Sequence, residues 1–141
     1  MNNEKHLNNL YKCIETKKAN QSHAREAIFR VLEATEGCLT VSQIIDALSS
    51  VYPKKISLNT VYRHLNLFVD CNLVAAIQDD FKKAYYCMLR DEPMTFLMCI
   101  KCNSVTKVKM DVKRKNASAI LLEPSNNGAY ITLHKKCHNC K

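Results

Sequence analysis

The 141-residue chain has little from which to build sharp loops, since only two glycines and three prolines occur in it. It also lacks any apolar run approaching the roughly 20 residues that cross a bilayer, and residues 1–20 are polar and charged, with no signal-peptide core. A membrane partner is therefore not expected, and a reducing cytoplasm is the expected compartment. Acidic side chains are scarce as well: 13 Asp and Glu stand against 21 Lys and Arg, for a formal net charge of +8. That imbalance suggests a polyanionic partner such as nucleic acid, although a merely soluble basic protein would show it too. A hydrophobic fraction of 47% with 24% charged residues argues against a disordered chain. The length admits one medium domain or two small ones with limited cores, which usually need a staple. Eight cysteines in a reducing compartment read as metal ligands and free thiols rather than as four disulfides.

Along the chain, residues 1–20 carry a loose helical pattern through Leu7, Leu10, Tyr11 and Ile14, as expected of an appended helix. Ser22 is placed to cap a second helix whose apolar face is Ala24, Ala27, Ile28, Val31 and Leu32, ended by Gly37. A third helix starts near Thr40, buries Ile44, Ile45, Leu48 and Val51, and stops at Pro53. Ser57 caps a fourth that runs to about Asp70, with Val61, Leu65 and Phe68 inward and Asn59, Thr60, Tyr62, Arg63 and Asn66 outward. Two β-prone stretches, Leu73 to Gln78 and Ala84 to Leu89, flank the polar turn 79–83. Helices followed by a hairpin is the order of a winged helix-turn-helix. Asp91-Glu92-Pro93 reads as a hinge. Beyond it the pattern predicts strands at Thr95 to Met98, Ser104 to Met110 and Gly128 to His134, with a helix from Asp111 to about Leu122. The expected fold class is thus α+β, with a DNA-binding domain over residues 1–90 and a small α+β domain over 91–141.

Two constellations carry chemistry. Cys99/Cys102 and Cys137/Cys140 form two Cys-x2-Cys turns, each able to bring two thiolates to about 2.3 Å from one tetrahedral zinc ion. Four thiolates leave no vacant coordination position, so one Zn²⁺ per chain is expected to be structural rather than catalytic. His138 lies inside the second turn as a bystander. The other reading is a pair of redox or unpaired thiols, against which stands the absence of a thioredoxin-like βαβ context. The second constellation is a face: a helix in the major groove needs a buried stripe and exposed Arg, Asn, Thr or Tyr. Arg63 is suited to a phosphate or guanine, and Ser57, Asn59, Thr60 and Tyr62 to backbone and base-edge contacts. An ordinary amphipathic helix would show the same periodicity, and a zinc-stapled module could present this face to a protein instead.

The run Ser57-Leu58-Asn59-Thr60-Val61-Tyr62-Arg63-His64-Leu65, followed by Asn72-Leu73-Val74, resembles the DNA-reading helix and wing entry of the ferric uptake regulator superfamily. Ser22-His23-Ala24-Arg25 is similar to the start of that family's first conserved helix, with Ala24 where glutamine is usual. The two Cys-x2-Cys pairs match its structural zinc site. The resemblance covers about residues 18–141 and implies a winged-helix domain, with Arg25 among its DNA contacts, joined to a dimerisation domain. It implies a homodimer on a double-stranded, pseudo-palindromic operator, acting as a repressor rather than an enzyme.

This chain departs from that pattern where the family senses a metal. No histidine occurs in Glu92-Pro93-Met94-Thr95-Phe96-Leu97-Met98, and Cys87, Lys107 and Cys38 stand where glutamate, an acidic ligand and a histidine are usual. A protonated lysine cannot ligate a metal and Phe96 never can, so an ordinary Fe or Mn site is not expected. A second metal stays open. The alternatives are a zinc-responsive regulator using Cys87 or a thiol redox switch, through a Cys-x-x-Cys pair or through oxidation of Cys38 or Cys87. Cys13 and Cys71, like these two, otherwise read as small buried apolar residues.

Overall fold

The computed structural model describes residues 3–16, 22–90, 94–108 and 130–140. Within them the chain forms α1 (Asn3–Thr16), α2 (His23–Glu33), β1 (Leu39–Thr40), α3 (Val41–Val51) and α4 (Leu58–Asp70). The strands β2 (Val74–Gln78), β3 (Ala84–Met88), β4 (Met94–Cys99), β5 (Val105–Val108) and β6 (Tyr130–Lys135) follow. The expected hinge at 91–93, the helix at 111–122, and residues 109, 110, 128 and 129 of the expected strands lie outside the described residues.

The starts of α2, α3 and α4 are each fixed by a hydroxyl. Ser22 Oγ accepts the Arg25 N–H at 3.3 Å, and Ser57 Oγ accepts the Thr60 N–H at 3.2 Å. Thr40 and Gln43 exchange bonds of 3.2 and 2.9 Å in a capping box. Such caps satisfy amides that would otherwise be orphaned, at about 1 kcal/mol each. Helix α2 ends at Glu33, earlier than Gly37, because the Ala34 and Thr35 N–H groups already close on Arg30 and Leu32 carbonyls. Val51, expected inward, is 67% exposed; Val41, Ile44 and Leu48 form the buried stripe of α3 instead.

With so few glycines, the tight reversals use other residues at positive φ: Asn72 (57°), Lys82 (63°) and Asn103 (61°). Asn72 follows α4, where the Leu73 N–H reaches back to the Phe68 carbonyl at 2.9 Å and ends the helix. The β2–β3 turn is held by Asp79, whose Oδ1 accepts the N–H groups of Phe81 and Lys83 at 2.9 and 3.0 Å.

The first sheet has the order β1-β3-β2 and is antiparallel throughout; the second is β5-β4-β6, with β5 antiparallel and β6 parallel to β4. The main core gathers Leu10 and Ile14 of α1, Ile28, Phe29 and Leu32 of α2, Ile44 of α3, and Val61, Leu65 and Phe68 of α4. Phe29 and Phe68 meet edge to face at 5.4 Å. Val74, Tyr86 and Met88 face this core, whereas Ala75, Ile77 and Cys87, from the same two strands, face a second core with Met94, Phe96 and Met98 of β4. The hairpin is thus buried on both faces.

One cysteine assignment changes. Cys13 and Cys71, expected as separate thiols, form a disulfide with a Cα–Cα distance of 5.9 Å across a sequence separation of 58. Docking of the Leu10/Ile14 face of α1 on the main core carries Cys13 to the C-cap of α4, where Cys71 stands.

Candidate metal centre and nucleic-acid face

The four expected ligands converge. Cys99 ends β4, Cys102 closes the turn after it, and Cys137 and Cys140 follow β6, which lies beside β4 in parallel register. All four sulfurs lie within 4.8 Å of one another. Cys99 to Cys140 is 3.9 Å and Cys102 to Cys137 is 3.8 Å, which matches the edge of about 3.8 Å of a thiolate tetrahedron with 2.3 Å metal bonds. Asn103 allows the first turn its left-handed residue and returns its N–H to the Cys99 carbonyl at 2.9 Å.

Backbone amides then charge the site. The N–H groups of Cys102, Cys137 and Lys101 donate to Cys99 Sγ at 3.4, 3.3 and 3.4 Å. These bonds, led by Cys102 and Cys137, bring the Cys99 thiol down to about 5. Hydrogen bonding to the Cys137 and Cys102 sulfurs pushes Cys140 up to about 12. Four crowded sulfurs resist becoming thiolates together without a cation, and a tetrahedral cation is what this geometry accepts. His138 is exposed and takes no place in the cluster.

The second site lies on α4. Ser57, Asn59, Tyr62 and Arg63 are exposed and Thr60 is half-buried, while Val61, His64, Leu65 and Phe68 point inward. The Ser57 and Thr60 hydroxyls are 2.8 Å apart, so both are oriented at the helix N-terminus. Arg25, which the resemblance puts among the DNA contacts, is 8% exposed, and its Nε donates to His64 Nδ1 at 3.4 Å. The guanidinium braces α4 from behind.

Sequence reasoning missed His64, which the inward spacing of Val61 and Leu65 could have revealed. Burial, with Arg25 and Arg63 adding repulsion, lowers its pKa from 6.5 to about 4, so it is a neutral acceptor. The unfolded chain takes up this proton more readily than the fold does. Stability is therefore complete above pH 6.5 and declines as pH falls toward 4, on the order of 1–2 kcal/mol by pH 5. Urea titrations at pH 7 and pH 5 should show this loss in the wild type and a smaller one in His64→Gln, whose amide oxygen still accepts from Arg25.

Also missed were Lys82 and Lys83, read only as turn residues, although two lysines at a hairpin tip are themselves a signal. They face Tyr62 and Asn66 of α4 and Thr40 and Ser42 at the start of α3 across a groove of about 420 Å³.

These features agree with a known family. The ferric uptake regulator family model matches residues 16–133. The chain belongs to the ferric uptake regulator family. Members of this family are metal-responsive DNA-binding transcription regulators and not enzymes.

Among solved structures, the chain resembles Fur of Helicobacter pylori, described as having three functional metal binding sites, at a TM-score of 0.77 and 19% identity, covering 99% of this chain and 94% of that one. It resembles the Pseudomonas aeruginosa regulator solved with manganese at 0.67 and 19%, covering 89% and 95%. For Vibrio cholerae Fur the values are 0.63 and 21%, covering 89% and 98%. At these identities the likeness establishes the fold. A search of curated proteins gave no significant match. Among the described residues, no helix is long and apolar enough to cross a membrane.

The positions where this family usually has histidine and acidic ligands hold other chemistry here. Met94 is 3% exposed and Phe96 is fully buried, both in the second core, and Lys107 pairs across from Phe96. Cys38 packs against the core that contains Cys87, and the Cys87 thiol donates to the Met88 carbonyl at 3.7 Å. Carboxylate-preferring iron or manganese does not fit this set of side chains.

Proposed function

We propose that this chain is a homodimeric, sequence-specific transcriptional repressor, with residues 1–90 acting as a winged-helix DNA-binding domain and 91–141 as a dimerisation domain stapled by one Zn²⁺. The observation that carries the reading is α4, which seats Val61, Leu65 and Phe68 in the core while exposing Asn59, Tyr62 and Arg63. The β2–β3 hairpin is the wing. Its lysines and the α4 face flank one groove, so a phosphate backbone between them meets positive charge on one side and hydrogen-bonding groups on the other. Ser57, Asn59, Thr60, Tyr62 and Arg63 are the contacts, with Arg25 supporting them through His64. Two copies of α4 related by a dyad read successive major grooves, which makes the operator pseudo-palindromic. Occupancy excludes the polymerase.

Cys99, Cys102, Cys137 and Cys140 hold the zinc, which supplies cross-linking of β4 to the segment after β6 and no reaction chemistry. The test of the reading is a gel shift with operator DNA. Arg63→Ala should weaken binding by about 1–3 kcal/mol with fold and zinc content unchanged, and affinity should fall steeply with salt. Equal affinity of the variant at physiological salt would overturn the assignment of α4.

Operator binding should also proceed without added Fe²⁺ or Mn²⁺. A regulatory ion shifts an equilibrium only by its differential affinity for two states, and Met94, Phe96 and Lys107 give a hard ion nothing to distinguish. Chelation that spares the four-cysteine zinc should leave binding intact. Strong activation on adding Fe²⁺ or Mn²⁺ would show that other ligands serve.

A further inference from the structure

The four-cysteine cluster and the Cys13–Cys71 link leave Cys38 and Cys87, and the fold sets these two face to face. Leu39 pairs with Tyr86 and Thr40 with Tyr85, so the same antiparallel register places Cys38 directly opposite Cys87. Such cross-strand neighbours have Cβ atoms about 4.5–5.5 Å apart, and Cys38 packs against the core that contains Cys87. Cys87 is 1% exposed and Cys38 is half-buried, so the pair is approached from the Cys38 side.

The surroundings select among ligands. Among the described residues, no His, Asp or Glu ligand atom joins the two sulfurs as a third donor. A tetrahedral divalent ion or an octahedral hard ion would therefore be left under-coordinated. The other sulfurs packed in this core are the thioethers of Met94 and Met98, on β4, and thiolate with thioether is the donor set of Cu⁺. Charge points the same way. Lys107 and Arg90 act on the Cys87 sulfur. Arg90 is fixed by bonds to the Glu33 and Thr35 carbonyls, 3.1 and 3.4 Å, in the segment that leads to Cys38. Two thiolates around a monovalent cation carry a net charge of −1, which those two side chains offset; around a divalent ion they would carry none.

We propose that Cys38 and Cys87 form a binding site for a soft monovalent cation, Cu⁺, held between two thiolates at the seam between the β1-β3-β2 sheet and β4. Binding releases both thiol protons to solvent and changes no oxidation state. The site deepens the regulatory reading above, because Cys38 is two residues from Thr40, which caps α3 and lines the groove facing Tyr62 and Lys82. Occupancy ties that cap to β3.

The experiment uses the full-length, zinc-loaded chain with Cys13–Cys71 oxidised, titrated anaerobically with Cu⁺ against a chromophoric Cu⁺ chelator in the absence of DNA. One Cu⁺ per chain should be retained while zinc stays bound. Cys87→Ser should weaken retention by more than about 100-fold, beyond what loss of an outer-shell partner costs. Cys38→Ala, at the half-buried position, should do the same with circular dichroism and zinc content unchanged, which separates lost ligation from misfolding. The proposal is overturned if no Cu⁺ is retained, if Cu⁺ uptake displaces zinc in equal amount, or if both variants retain Cu⁺ like the wild type. Since no DNA is present, failure here leaves the gel-shift result standing, and failure of the gel shift leaves the copper count standing.

Discussion

Serine in place of Cys102 or Cys137 is expected to abolish zinc binding and unfold the β5-β4-β6 sheet. A structural zinc with four cysteines contributes about 10–16 kcal/mol of binding free energy at neutral pH, and that energy is also folding energy. Here the ion would join the end of β4 to the segment after β6, strands that are parallel neighbours joined by a long connection. Replacing Cys102 leaves three sulfurs and an open position, so the remaining thiols should also become reactive. Elemental analysis, circular dichroism and size-exclusion chromatography provide the check. A zinc-free Cys102→Ser chain that stays folded and dimeric would show that the second core alone sustains the sheet.

Reduction of Cys13–Cys71 is expected to cost about 4 kcal/mol in the chain-entropy description of a loop this long. The loss should fall on α1. Its Leu10 and Ile14 are 1% and 6% exposed, so the helix has a docking face of its own, but the covalent tie removes much of the freedom that docking must otherwise overcome. Cys13→Ser should reproduce the effect of reductant in denaturant titrations, and reductant should then add nothing further. Peptide mapping without reductant should recover the linked pair, with Cys38 as the accessible free thiol in zinc-loaded protein. An unlinked Cys13 and Cys71, or a midpoint indifferent to reductant, would remove this prediction.

Local chemistry was legible in the sequence wherever a short segment settles its own conformation. Ser22, Thr40 and Ser57 begin the helices they were expected to begin, because a cap is a matter of three or four adjacent residues. The Cys-x2-Cys spacing likewise sufficed to assemble the four sulfurs. What escaped depends on distant partners. Strand β1 is two residues long, too short to show alternation, and exists through pairing with β3. The Cys13–Cys71 link spans two helices whose relative placement no local pattern encodes. Arg25 is a further case: it is buried and bonded to His64, 39 positions away, a contact that no local pattern displays.

The β3 strand has a further consequence for how its sequence can drift. In a sheet with one wet face, every second residue is free to vary. Here Tyr86 and Met88 are pressed into one core and Cys87 into the other, while β2 pairs along the whole strand and β1 at Tyr85 and Tyr86. From Tyr86 to Met88 there is no permissive register, so mutational tolerance should lack the period of two that marks most strands, and changes that suit one core must also be compatible with the other.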